Sequence, residues 1–178
     1  MSLEKLVEQL KQQEKGYPPV ESWDPVYCGE MDLIIKANGD WYYGGTIFKR
    51  MSLVKLLASV LKKETNEYFL VTPVEKIKIQ VEKHPLIITQ WRWLDEQRTT
   101  MQLTTNVDDE FILDAEHPVS LEADGGLSVI VRRNLTAVIH RNVYYQWVEL
   151  AKETEVNGKT AMTFNSTDQC INLGFITE

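Results

Sequence analysis

Residues 68–82 read Tyr-Phe-Leu-Val-Thr-Pro-Val-Glu-Lys-Ile-Lys-Ile-Gln-Val-Glu, and the fold class turns on this stretch. From Lys76 to Glu82, apolar Ile77, Ile79 and Val81 alternate with polar Lys76, Lys78, Gln80 and Glu82. That period of two is what a strand with one buried face requires. Tyr68 to Val71 reads as a second, shorter strand, with Thr72-Pro73 as the break between them. His84-Pro85 ends the alternation, because proline has no N–H to offer a ladder.

Working outward toward the N-terminus, Leu53, Val54, Leu57, Val60 and Leu61 recur at helical spacing. They predict a helix from Ser52, as N-cap, to Lys63, with Lys55, Lys62 and Lys63 outward. Leu33 and Ile35 on one side of Asn38-Gly39, and Trp41 and Tyr43 on the other, predict a hairpin whose turn residues tolerate positive φ. The segment through Trp23 and Pro25 reads as a connector. Before it, Leu3, Leu6, Val7 and Leu10 make one apolar stripe on a helix that opens at Ser2 and stops at Gly16, ahead of Pro18-Pro19.

Toward the C-terminus the pattern is mostly extended. Leu86 to Leu94 and Arg98 to Thr105 flank Asp95-Glu96-Gln97, with Trp91 and Trp93 on one face. Phe111 to Leu113, Val119 to Leu121, Ser128 to Arg133 and Leu135 to Ile139 read as further strands. Helical spacing returns from Asn142 to Lys152, and two strands, Thr160 to Phe164 and Cys170 to Phe175, close the chain. The whole is α+β with mostly antiparallel sheet and two related halves. His84-Pro85 and His117-Pro118 are too short an echo to establish a repeat by themselves.

With 178 residues, 43% of them hydrophobic and 25% charged, the chain can hide roughly 70% of its unfolded surface. That excludes disorder, collagen and coiled coil. No apolar run approaches the roughly 20 residues that span a bilayer, and no basic start with an apolar block marks a secretory signal. The expected location is the cytoplasm. Only Cys28 and Cys170 are present, which argues against a disulfide scaffold while leaving one bridge open, and both read as packing residues. The net charge of −7 disfavours general coating of nucleic acid. Lys49 to Lys83 nevertheless holds eight basic residues against four acidic ones, a local excess of +4. Such an excess can focus a field on a small anion, or can simply form a solvated helix and strand face.

Catalytic and cofactor motifs are largely missing. Neither a dinucleotide GxGxxG after a strand nor a P-loop occurs. His84, His117 and His140 are too far apart to share one element as zinc ligands. The acidic run Asp108, Asp109, Glu110, Asp114 and Glu116 lacks the calcium-loop spacing, and reads as a solvated sheet edge. No GxSxG elbow is present, and neither cysteine has an adjacent activating group. Glu75 and Lys76, adjacent on a strand, point to opposite faces and do not make an acid/base pair for one substrate atom. Trp41, Trp91, Trp93 and Trp147 fall at strand and helix spacing, where aromatic residues belong to the core more often than to a stacking platform.

Two blocks carry a resemblance. Cys28-Gly29-Glu30-Met31-Asp32, Asn38-Gly39-Asp40-Trp41, Gly44-Gly45-Thr46-Ile47 with Arg50, and Leu53-Val54-Lys55-Leu56 make the first. Tyr68 to Lys76 with Ile77, Ile79, Val81 and Glu82 makes the second and more specific one. Together they resemble the bacterial family catalogued as domain of unknown function 1285. Thr105-Asn106 with Asp109, His117-Pro118, Val131-Arg132, Leu135 with Ala137, Arg141 to Tyr145 and Leu173-Gly174 are similar to its later pattern. The chain departs from it at Gly45-Thr46, where the family usually has Ser-Pro, and at Ser166 to Gln169, where it has a glycine-rich turn.

The expected division is a helix and connector over residues 1–24, an α+β domain over 25–85 and a β-rich domain over 86–178, and a two-domain α+β fold is what the resemblance implies. It also implies an internally duplicated core, with a C-terminal half like a pleckstrin-homology barrel. No established activity or cofactor comes with it. It implies a pocket between the domains for a nucleotide-like ligand, with a part in signal transduction. The expectation is therefore a non-enzymatic binding or signalling module whose site is lined by Arg50, Thr72, Glu75, Lys76, Asn106 and Arg132, with Arg50 and Lys76 meeting phosphate. The alternative is a protein-interaction adaptor, docking through the N-terminal helix or a sheet edge. A hydrolase using paired carboxylates is the third reading.

Overall fold

The computed structural model describes residues 3–11 and 17–176. Ser2 and Gly16, expected to open and end the first helix, lie outside the described residues. The chain divides into two units, Met1–Pro85 and Leu86–Glu178.

In the first unit the alternating stretch forms a strand as its periodicity demands. The elements in order are α1 (Leu3–Lys11), β1 (Val26–Ile35), β2 (Trp41–Tyr43), β3 (Thr46–Ile47), α2 (Met51–Ser59), β4 (Leu61–Glu64), β5 (Glu67–Val71) and β6 (Glu75–Val81). The Asn38-Gly39 hairpin forms as expected, with Ile35 opposite Trp41 and Leu33 opposite Tyr43, and of the two turn residues only Gly39 takes positive φ. Glu82 braces its turn, accepting from Lys36 Nζ at 2.7 Å and from the Ala37 N–H at 2.9 Å. Leu33, Ile35, Trp41, Leu70, Ile77 and Ile79 are buried along with Leu6, Leu10, Val54 and Leu57 of the helices.

The predicted helix over Ser52 to Lys63 ends early, and its cap is Arg50 rather than Ser52. Leu61 to Glu64 leave it and pair with β5, Leu61 opposite Leu70 and Glu64 opposite Glu67. Thr65 makes the turn at φ 54. Hairpin pairing buries Leu61 fully while leaving Lys62 and Lys63 partly wet, and a tertiary gain of that kind overrides helix propensity. Val26 to Met31 extend β1 N-terminal to the hairpin, alongside β6.

The second unit contains β7 (Leu86–Trp93), β8 (Met101–Thr105), β9 (Glu110–Ile112), β10 (Val119–Leu121), β11 (Leu127–Arg132), β12 (Leu135–Ile139), α3 (Arg141–Leu150), β13 (Lys152–Val156), β14 (Lys159–Ser166) and β15 (Gln169–Phe175). The last three form a separate antiparallel sheet. The β14–β15 turn carries Thr167 at φ 50. Buried Ser166 ties it to the larger sheet, donating to the Leu113 carbonyl at 2.8 Å and accepting from the Met101 N–H at 3.1 Å.

The duplication becomes visible in topology. The first sheet runs β3-β2-β1-β6-β5-β4, and the second, from its other edge, β9-β8-β7-β12-β11-β10. Each is a pair of three-stranded meanders joined at the centre by parallel pairing of the first strand with the last, β1 with β6 and β7 with β12. The units differ in the link between meanders. In the first, α2 makes it; in the second only the six residues 113–118 do. A flat six-stranded sheet is about 24 Å across, close to the full reach of such a link. Here the link is not extended, because the His117 N–H bonds back to the Asp114 carbonyl at 3.1 Å. The edges of the second sheet must therefore curl toward each other, giving a half-barrel.

Candidate functional site

Arg50 supplies the clearest opening for a ligand. Its extended backbone caps α2, with its carbonyl accepting from the N–H groups of Leu53 at 3.0 Å and Val54 at 3.3 Å. α2 packs beside α1, whose Leu3, Leu6 and Leu10 are buried. Between the helices lies a groove of about 450 Å³, within the range of small-molecule sites. Leu3, Val7, Leu53 and Leu56 give it apolar walls, and Arg50, Lys11, Ser52 and Glu4 stand at its rim. Among the described residues neither Arg50 nor Lys11 has a side-chain ion pair, whereas Glu4 has a partner. Lys11 and Ser52 were not foreseen as site residues, since nothing in the sequence says that α1 lies against α2.

Glu75 and Lys76 are separated by the pleat, as their adjacency requires. Glu75 Oε2 accepts from Gln9 Nε2 of α1 at 3.3 Å. Lys76 lies on the opposite face, so the structure does not bring it to Arg50. Its ammonium bonds Glu64 at 2.8 Å and sits 5.2 Å from the Phe69 ring centroid. Lys62 also reaches Glu64, and Lys78 pairs with Glu67 and Glu30. Much of the local positive excess is thus a ladder of alternating charges. The Lys76 ammonium holds the Glu64 carboxyl below the usual carboxylate range, so this carboxylate adds stability above its unfolded value and loses it as pH falls through the lowered one.

Thr72 is fully buried and closes the β5–β6 turn. Its hydroxyl accepts from the N–H groups of Glu75 at 3.1 Å and Val74 at 3.4 Å, and its own N–H donates to the Glu75 carbonyl at 2.8 Å. Thr72→Ala is expected to cost about 1 to 2 kcal/mol, since it removes the acceptor of two part-buried N–H donors in the turn. Thr72→Ser should recover most of this, and urea denaturation of both variants checks it.

In the second unit Asn106 and Arg132 come to the same end of the sheet. Asn106 Oδ1 accepts from the Ile87 N–H at 3.0 Å, fastening the β8–β9 turn to β7. Arg132 Nη1 bonds Asp109 Oδ2 at 2.8 Å with both side chains nearly inaccessible. Thr105, also buried, accepts from the N–H groups of Asp109 at 3.0 Å and Val107 at 3.3 Å. Burial pushes the Asp109 carboxyl up, with Arg132 and Arg133 pulling the other way, and burial pushes the Arg132 guanidinium down. The reading of Asp109 as part of a solvated edge is therefore corrected. Its partner is 23 residues away, and only packing of the two turns shows the pairing.

Both cysteines are exposed free thiols rather than packing residues. Trp41 and Trp147 are buried, whereas Trp91 and Trp93 are half-exposed, edge to face at 5.8 Å. Among the described residues no three His, Cys, Asp or Glu side chains are grouped so as to hold a metal ion, and no helix is long and apolar enough to cross a membrane.

Comparison with known proteins follows the same division. Residues 18–84 match the family model "Domain of unknown function (DUF1285), N-terminal domain", and residues 85–173 match "Protein of unknown function (DUF1285), C-terminal domain". The crystal structure of a DUF1285 family protein from Silicibacter pomeroyi DSS-3 superposes with a TM-score of 0.83 at 28% identity, covering 96% of this chain and 95% of that one. A DUF1285 family protein from Shewanella baltica OS155 gives 0.57 at 30% identity, over 67% of this chain and 91% of its own. No curated protein matches the chain.

Proposed function

This chain belongs to the DUF1285 family, and from that premise we propose that it is a non-enzymatic module that binds a small anionic ligand carrying an apolar or ring portion. The observation that carries the reading is the groove between α1 and α2, where Arg50 and Lys11 stand over apolar walls. The walls would take the apolar portion, and the Arg50 fork would take a phosphate or carboxylate bidentately. Its lining holds no histidine, cysteine or carboxylate pair, which favours binding over turnover. Thr72, Asn106 and Arg132 are not part of the groove; they bond within the fold through Thr72 Oγ1, Asn106 Oδ1 and Arg132 Nη1.

A thermal-shift screen with mono-, di- and cyclic nucleotides tests it. A ligand at 100 times its Kd adds about 2.7 kcal/mol, which raises the midpoint by several degrees in a chain this size. Arg50→Ala is expected to weaken the hit by about tenfold or more, the value of a charge-assisted hydrogen bond. Undiminished binding by that variant would remove the groove as the site. Deleting residues 1–16 does not separate a ligand site from a docking helix, because α1 forms one wall of the groove.

A protein-interaction adaptor is the second reading. It is favoured by Val26, Tyr27 and Val74, which are 76%, 50% and 62% exposed and are drawn together by the pairing of Val26 with Glu75. Silence across the nucleotide panel would make it the better one.

A further inference from the structure

A second cavity lies within the C-terminal unit, and its chemistry differs from that of the groove. It encloses about 410 Å³ where the β7–β8 loop, the end of α3 and the β13–β14 hairpin meet. Trp93 gives it a planar wall, Arg98 and Lys152 bring positive charge from two different elements, and Thr154, Thr163 and Asn165 add polar groups. No carboxylate lines it. On an acidic protein with 26 Asp and Glu against 19 Lys and Arg, a cavity with two cations and no carboxylate stands apart.

The loop and hairpin that carry these groups are held in place before any ligand arrives. Arg98 sits at φ 57 in a loop fastened by Asp95, whose carboxylate accepts from Thr99 N–H at 2.9 Å, Thr99 Oγ1 at 3.0 Å and Thr100 N–H at 2.7 Å. Those bonds occupy the Asp95 carboxylate. The Thr167 N–H, donating to the Thr99 carbonyl at 2.6 Å, anchors the loop to the β14–β15 turn. Thr154 and Thr163 share a hydrogen bond of 2.7 Å across the hairpin. Lys152 and Thr154 occupy one face of β13, and Glu153 the other. Among the described residues Arg98 and Lys152 have no side-chain partner within the protein. Fixing the backbone that carries these side chains in advance lowers the ordering cost of binding.

We propose that this cavity is a binding site, separate from the α1–α2 groove, for a small molecule that joins a planar ring to a phosphate group. The ring lies against Trp93, the phosphate between Arg98 and Lys152, and the threonines and Asn165 bond its polar edge. Cationic side chains and a stacking surface are the complement such a ligand needs.

Isothermal titration of the full chain with phenyl phosphate, adenosine 5′-monophosphate and inorganic phosphate tests the proposal. Both aromatic phosphates are expected to saturate at millimolar concentration or below, and inorganic phosphate to bind more weakly. Arg98→Gln and Lys152→Gln each weaken them by about tenfold or more. Trp93→Ala removes the advantage of the ring while leaving inorganic phosphate unaffected. All three positions are at the surface, and an unchanged denaturation midpoint confirms folding. Failure of both aromatic phosphates to saturate overturns the proposal. So does binding that survives Arg98→Gln and Lys152→Gln; if Arg50→Ala then abolishes it, the ligand belongs to the groove of the first unit.

Discussion

Arg132→Ala is expected to destabilise the C-terminal unit by roughly 3 to 5 kcal/mol, the usual cost of stranding one member of a buried ion pair. In a chain of this length that corresponds to a midpoint lowered by about 6 °C or more. Asp109 would keep the Thr105 bond to its N–H but lose the guanidinium that faces its carboxylate at 2.8 Å. Its carboxyl, already raised by burial, would rise further. A carboxyl whose folded value lies above its unfolded value favours the fold at low pH, and that advantage disappears as pH rises through the folded value. The variant should therefore lose stability between acidic and neutral pH, more steeply than the parent. Replacing both partners with apolar residues, as Asp109→Leu with Arg132→Met, is expected to come out close to neutral, because burial of the two charges offsets most of their attraction. The pair's Nε is itself buried without a partner. Urea titrations across pH decide the matter: a loss below about 1 kcal/mol with a flat pH profile would mean that water reaches the pair.

Trp147→Ala should cost about 3 to 5 kcal/mol. Trp147 is fully buried on α3, and its ring meets Phe164 of β14 edge to face at 5.2 Å. Truncation would leave a void where the helix joins the three-stranded sheet. Trp147→Phe is expected to cost much less. It keeps the ring contact and removes an indole N–H that is buried without a partner, a group whose desolvation opposes folding. Equal losses for the two substitutions would show that the indole itself, not the volume filled or the edge-to-face contact, governs the site.

Binary patterning made most of the elements legible. Ile77, Ile79 and Val81 mark β6, and Asn38-Gly39 marks the β1–β2 hairpin. Where a strand has no apolar alternation the signal vanishes: Lys-Glu-Thr-Glu-Val over Lys152–Val156 is almost wholly exposed, and only its pairing with β14 makes it a strand. Leu61 to Glu64 show the opposite conflict, a helical pattern that a neighbouring strand captures.

Of the six residues expected at the site, Arg50 alone has no side-chain partner among the described residues and faces a groove. Thr72 and Asn106 act as turn fasteners and Arg132 as half of a buried pair. A motif match alone does not distinguish a residue that touches a ligand from one that shapes a turn. By itself the sequence determined the α+β class, most of the strands, the N-terminal helical stripe and the positive excess around Arg50, because these depend on spacing along one element. Only the tertiary structure decided that the two sheets share one topology, that Lys76 and Arg50 face apart, that Asp109 meets Arg132, and that Trp93, Arg98 and Lys152 line one cavity. Each of these depends on which distant segments pack together, and the pleat or a turn then sets which way a side chain points.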